Sequence, residues 1–127
     1  MLRKNKSVKK LTTSSLRIIG GQWKRRTISF IAVEDLRPTP DRVRETLFNW
    51  LQFEIQGQRC LDAFAGSGAL GLEALSRGAA ECVFMEKHSS QAKQLQQTLI
   101  DLGKPTPVLV GDTLLLLSQQ KMAFDVV

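Results

Sequence analysis

The first 26 residues contain no acidic side chain. They hold nine basic ones (Arg3, Lys4, Lys6, Lys9, Lys10, Arg17, Lys24, Arg25 and Arg26) out of eighteen in a 127-residue chain of formal charge +6. The remainder carries nine basic and twelve acidic groups, a balance of −3. A basic arm on a mildly acidic domain predicts a polyanion partner, and nucleic acid suits it better than a membrane because no apolar face accompanies the charge. The bland alternative for residues 1–15 is a solvated tail.

Cysteine and histidine are scarce too. Cys60 and Cys82 lie in strand-like runs, without C-x-x-C spacing and far from a histidine partner, so neither a disulfide nor a metal centre is suggested. They read as buried thiols, which fits a reducing, cytoplasmic location. No run approaches the roughly twenty apolar residues of a membrane span, and no apolar stretch follows the N-terminal positive charges. The hydrophobic content of 43% is nevertheless enough for the core of one domain.

What is present centres on Arg59-Cys-Leu-Asp-Ala-Phe-Ala-Gly-Ser-Gly-Ala-Leu-Gly71. Cys60 to Phe64 has the apolarity of a buried parallel strand, and Ala69 to Arg77 has helical spacing until Gly78 ends it. Gly66 and Gly68 let the chain turn between them and let a ligand approach the backbone. Gly66, Gly68 and Gly71 also match G-x-G-x-x-G, with Glu86 about twenty residues further on, which keeps a nicotinamide-dependent oxidoreductase open. Asp62 argues against it. At the mouth of the strand it would repel a pyrophosphate and attract a cation. S-adenosylmethionine, with an ammonium, a sulfonium and a ribose but no phosphate, suits that turn better.

Residues 1–15 are expected to form a basic flexible arm, and 16–127 the N-terminal hairpin plus the cofactor-binding half of one domain. Leu16 to Ile19 and Gln22 to Ile31 read as two β segments around Gly20-Gly21, which would lay Arg17, Lys24, Arg25 and Arg26 along RNA phosphates. Trp23 either stacks on a base or covers the sheet edge. A helix is expected from Pro40, capped by Thr39, with Val43, Leu47, Trp50 and Leu51 inward and Arg42, Glu45 and Asn49 outward. Arg37, Arg42 and Arg44 crowd its positive end, an arrangement able to hold an anion or carboxylate; ordinary solvated arginines are the alternative.

Glu81 to Glu86 reads as a second strand ending in an acid, placed to accept from both ribose hydroxyls. His88 reads as a loop or capping residue. Ser89 or Ser90 caps a helix with a stripe of Ala92, Leu95, Leu99 and Leu102, ending at Gly103. Pro105 to Val110 gives a third strand, after which Asp112 could accept from an adenine amino group. Thr113 to Lys121 reads as a short helix, and Phe124 to Val127 opens a fourth strand. Alternating strands and helices call for a parallel Rossmann-like α/β sheet, incomplete at its C-terminal side.

Three stretches carry a resemblance: Arg17-Ile-Ile-Gly-Gly-Gln-Trp23, Arg37-Pro-Thr-Pro-Asp-Arg-Val-Arg-Glu-Thr-Leu-Phe-Asn49 and Leu61-Asp-Ala-Phe-Ala-Gly-Ser-Gly-Ala-Leu-Gly71. Together they resemble the RsmD-type 16S ribosomal RNA guanine-N2 methyltransferases of the class I S-adenosylmethionine-dependent fold. The resemblance implies that Asp62, Phe64, Gly66, Ser67 and Gly68 hold the methionine part, Glu86 the ribose and Asp112 the adenine, with Thr39 to Arg44 closing over the cofactor. It also implies a substrate in the small ribosomal subunit or its assembly intermediate, and a monomer. Where Arg25 stands the family commonly has glycine. Its catalytic Asp-Pro-Pro-aromatic motif would begin just beyond Val127, so no catalytic residue is expected within the chain, which reads as a truncated N-terminal portion. A non-catalytic RNA-binding remnant is the other reading of that departure.

Overall fold

A computed structural model describes residues 12–32, 40–63, 65–113, 115–116 and 124. Two sheets are present among them. Strands β1 (Thr12–Arg17) and β2 (Thr27–Ala32) pair antiparallel, with Arg17 opposite Thr27. Strands β3 (Arg59–Asp62), β4 (Glu81–Glu86) and β5 (Val108–Val110) form a parallel sheet in the order β3-β4-β5. Helices α1 (Asp41–Trp50), α2 (Ala69–Ser76) and α3 (Ser89–Asp101) complete the α/β alternation expected of a Rossmann-like domain.

Strands β3 and β4 bury side chains on both faces, whereas β5 is only partly covered. Cys60, Cys82 and Phe84 point into the main core with Phe48, Leu72, Leu75, Leu95 and Leu99, while Leu61, Val83 and Met85 pack on the other face with Leu109 and Leu116. Both cysteines are buried thiols, and burial pushes the Cys82 thiol up. Gly71 explains how closely α2 lies on β4: a Cβ there would overlap the ring of Phe84 and crowd Cys82. Its role is this close packing, whatever motif its spacing matches.

The hairpin departs from its expected shape. β1 starts at Thr12 and so takes up the last four residues of the segment expected to be a flexible arm, and Gly20-Gly21 is not the turn between strands. Residues 18–26 instead form a loop closed by Ile18 N to Arg26 O and Arg25 N to Ile18 O. This loop docks on α2. Ser76 Oγ accepts from Trp23 N and donates to Gly20 O, and Gln22 N donates to Ser76 O. Trp23 is buried in the core, which decides its two readings in favour of packing. At the far end, the free edge of β2 is met by a side chain: the Gln91 amide accepts from Ile31 N and donates to Ile31 O, as a neighbouring strand would.

Helix α1 is rotated from the expected face. Val43 and Trp50 are 54% and 75% exposed, whereas Arg44 and Phe48 are the buried residues. Apolar periodicity misplaces the face because it treats arginine as outward, and here the Arg44 charge is met inside by Glu73. In α3 the expected stripe holds, with Ala92, Leu95 and Leu99 buried, but its N-cap is His88 and no side chain caps it, so neither Ser89 nor Ser90 plays that part. β5 is shorter than expected. Thr113, Leu115 and Leu116 are helical, Phe124 is not in a strand, and the rest of the expected last helix and fourth strand lies outside the described residues. No helix among them is long and apolar enough to cross a membrane.

One residue is conformationally strained. Arg25 has φ 72°, the only left-handed non-glycine among the described residues, and it stands where the resemblance leads one to expect glycine. A side chain in that region costs about 1 kcal/mol or more. Arg25→Gly should therefore raise stability by roughly 0.5–1 kcal/mol, part of the relief being offset by glycine's freedom when unfolded. Urea unfolding checks this; an unchanged or lower midpoint would show that the turn carries no strain.

Candidate functional site

Three parallel strands bring their carboxyl ends to one edge: Asp62 ends β3, Glu86 ends β4, and Gly111-Asp112 follow β5. In open α/β sheets this edge is where ligands bind. The glycine turn after β3 is pinned across it. Ala65 N donates to Met85 O, Gly66 N donates to Glu86 Oε1 at 2.8 Å, and Gly111 N donates to Glu86 O. Gly68, with φ 83°, is the N-cap of α2, and the buried Ser67 Oγ accepts from Ala69 N.

Asp62 is half-buried, and its Oδ2 accepts from Gly71 N at 3.0 Å. It borders a groove of about 390 Å³ between α1, β3 and α2 whose other described lining residues, among them Leu47, Leu51, Leu70 and Ala74, are apolar. Desolvation in this setting, with the nearby Glu86 charge, lifts its pKa from 3.8 to about 6 against the opposing Gly71 hydrogen bond. Among the described residues Asp62 has no ion-pair partner. The edge thus presents a carboxylate whose charge lacks compensation, a setting that a cationic ligand would relieve.

Glu86 is buried. Its Oε2 accepts from His88 N at 2.8 Å and faces His88 Nδ1 at 3.0 Å. Asp112 is exposed; its Oδ1 accepts from Leu115 N, so it caps the short helical segment after β5. Thr113 Oγ1 donates to Ala63 O, which fixes that segment to the end of β3.

The other expected site residues divide into three groups. Arg42 is exposed on α1, whereas Arg44 is not placed to meet a ligand: it is fully buried, donates to Arg17 O and Asp41 Oδ1, and lies 3.5 Å from Glu73 Oε1. Helix rotation turned it inward, and we correct its expected role to a structural one. Thr39, Arg37 and Phe64 lie outside the described residues. Arg17, Lys24, Arg25 and Arg26 are all exposed and are drawn together where the hairpin closes.

Sequence reasoning missed Glu73. This fully buried acid accepts from Ile19 N at 3.0 Å and Gly20 N at 2.9 Å, and pairs with Arg77 Nε at 2.8 Å. The signal was available: an acid inside the apolar run Leu70 to Leu75 needs a buried partner.

The family model described as "Conserved hypothetical protein 95" matches residues 16–127. The chain belongs to this family. It is 53% identical over 90 residues to "Ribosomal RNA small subunit methyltransferase D" of Escherichia coli K12, an alignment covering 71% of this chain and 46% of the relative. The protein of the same name from Haemophilus influenzae is 52% identical over 84 residues, covering 66% and 44%. Among solved structures, "Putative methyltransferase yhhF" of Escherichia coli superposes with a TM-score of 0.74 at 48% identity, over 83% of this chain and 58% of that one. The chain spans about half the length of the curated relatives it matches. The RsmD-type resemblance and the Rossmann-like fold are thereby borne out.

The raised pKa of Asp62 has a sign that can be checked. Between pH 4 and about 6 the folded state holds a proton that the unfolded chain has lost, so stability falls as pH rises through this window and levels off above it. Asp62→Asn should remove that decline. The wild-type minus mutant difference in unfolding free energy should become less favourable by about 2 kcal/mol from pH 4 to pH 7; a pH-independent difference would mean that Asp62 titrates normally.

Proposed function

We propose that the chain is the cofactor-binding and RNA-contacting half of an S-adenosylmethionine-dependent methyltransferase that modifies the exocyclic N2 of a guanine in 16S ribosomal RNA. The observation that carries this reading is the pair of carboxylates, Asp62 and Glu86, flanking a glycine turn at the sheet's carboxyl edge. Asp62 would attract the ammonium of the methionine part, Glu86 would accept from the ribose hydroxyls, and the Gly66-Ser67-Gly68 turn would present its backbone to the ligand, the missing Cβ of Gly68 making room for Leu95 on the core side. Asp112, with one oxygen committed to the helix cap, would meet the adenine. When bound, S-adenosylmethionine supplies a sulfonium-activated methyl group.

A pyrophosphate would face the same carboxylates, which disfavours a nicotinamide cofactor. Arg17, Lys24, Arg25 and Arg26 would grip phosphates of the small-subunit RNA or its assembly intermediate, a cytoplasmic substrate. No Asp-Pro-Pro-aromatic sequence occurs within the 127 residues, so the groups that would orient a guanine amine are not assigned to this chain.

Cofactor binding separates these readings. Asp62→Ala and Glu86→Ala should each weaken S-adenosylmethionine binding by about 1.5–3 kcal/mol, the range for hydrogen bonds to charged groups. Wild-type affinity in both variants by calorimetry, or preferential NAD binding, would remove the assignment.

RNA binding should depend on the hairpin cations. Neutralising Arg17, Lys24, Arg25 and Arg26 should weaken binding to 16S ribosomal RNA and flatten its salt dependence by roughly one unit of slope per lost phosphate contact. A filter-binding titration with an unchanged slope would leave these charges as a solvated surface.

A further inference from the structure

We infer that His88 is a displaceable occupant of the Glu86 carboxylate and sets the affinity for ligands carrying a vicinal diol. The inference rests on the reading of Glu86 as the diol acceptor. A carboxylate offers about four lone-pair positions. Three are taken here: Oε1 accepts from Gly66 N, and Oε2 accepts from His88 N and, with the ring protonated there, from His88 Nδ1 at 3.0 Å. A diol brings two donors to the one position left.

One of the three occupants must yield. The Gly66 N–H belongs to a turn fastened to β4, and the His88 N–H to the N-cap of α3, so neither leaves without disturbing an element. The His88 ring is held differently. Its side chain is 59% exposed, that of Glu86 only 8%, and rotation about χ1 returns the ring to water at little cost. Ligand entry therefore exchanges the imidazole for a second hydroxyl. His88 in this way keeps a buried carboxylate satisfied while the site is empty, and lowers affinity by what that contact is worth. It is a positioning residue that acts through Glu86.

Calorimetry on the full chain tests this with S-adenosylmethionine, with adenosine, which keeps the diol without the charges, and with 2′-deoxyadenosine, which has one hydroxyl. His88→Ala should bind the first two roughly three- to tenfold more tightly, the value of one charge-assisted hydrogen bond discounted for exposure. The gain should shrink for 2′-deoxyadenosine, which needs only the free position. His88→Asn, whose amide can still donate to Glu86, should stay near wild type. Equal or weaker binding by His88→Ala overturns this inference alone, whereas no binding by any variant overturns the cofactor reading with it. Without ligand, the Nδ1–H tautomer of His88 should be seen by nitrogen-15 NMR and fade in Glu86→Gln; a tautomer unaffected by that change also overturns the proposal.

Discussion

The packing of the N-terminal part onto the domain depends on one buried carboxylate. Glu73 sits in α2 with no exposure and collects Ile19 N, Gly20 N and the Arg77 guanidinium, with Arg44 alongside at 3.5 Å. Burying a carboxylate costs several kcal/mol unless it is fully hydrogen-bonded, so each partner is required by the others. The β1–β2 loop contributes its N–H groups, α1 contributes Arg44, and α2 itself contributes Arg77, which also lies 5.4 Å over the ring of Phe48. Three segments distant in sequence are thereby tied at one point. A hydrophobic contact would hold them together, but only directional bonds to a charge fix the loop's orientation.

Carboxylates at the ligand edge serve structure before they serve a ligand. Asp62 accepts from Gly71 N in the first turn of α2 and Glu86 from Gly66 N in the glycine turn, so the helix start is tied to β3 and the turn to β4. The turn is consequently preorganised without a ligand, which lowers the entropy lost on binding. The cost falls on Asp62, whose ionisation is opposed by burial and by its neighbour Glu86. A cationic ligand, as proposed for this edge, would recover that cost. A site built in this way discriminates by charge as well as by shape.

Much of this was legible in the residues because it is local. Acids at the ends of apolar runs, glycines between a strand and a helix, and the stripe of Ala92, Leu95 and Leu99 each follow from spacing over a few positions. What was not legible is non-local. Arg44 reads as a surface cation until Glu73, 29 positions away, is seen to meet it inside. The diglycine at Gly20-Gly21 reads as a hairpin turn, yet its conformation is set by Ser76 and Glu73 on α2. The left-handed Arg25 illustrates the same limit, since the local rule favours glycine there and the docked loop holds an arginine instead.

These two parts of the molecule share a single rigid connector. α2 begins at the glycine turn, where Gly68 caps it, and ends at Ser76, which holds the loop carrying Lys24, Arg25 and Arg26. Eight residues of helix span about 12 Å. The proposed cofactor cradle and the proposed phosphate grip are therefore fixed to opposite ends of one short element, buried along nearly its whole length. For a transferase the consequence is geometric. If the proposed roles hold, an RNA anchored through the loop would be held at a set distance from the turn, so that α2 itself would help to align substrate with cofactor as long as Glu73 keeps the loop on the helix.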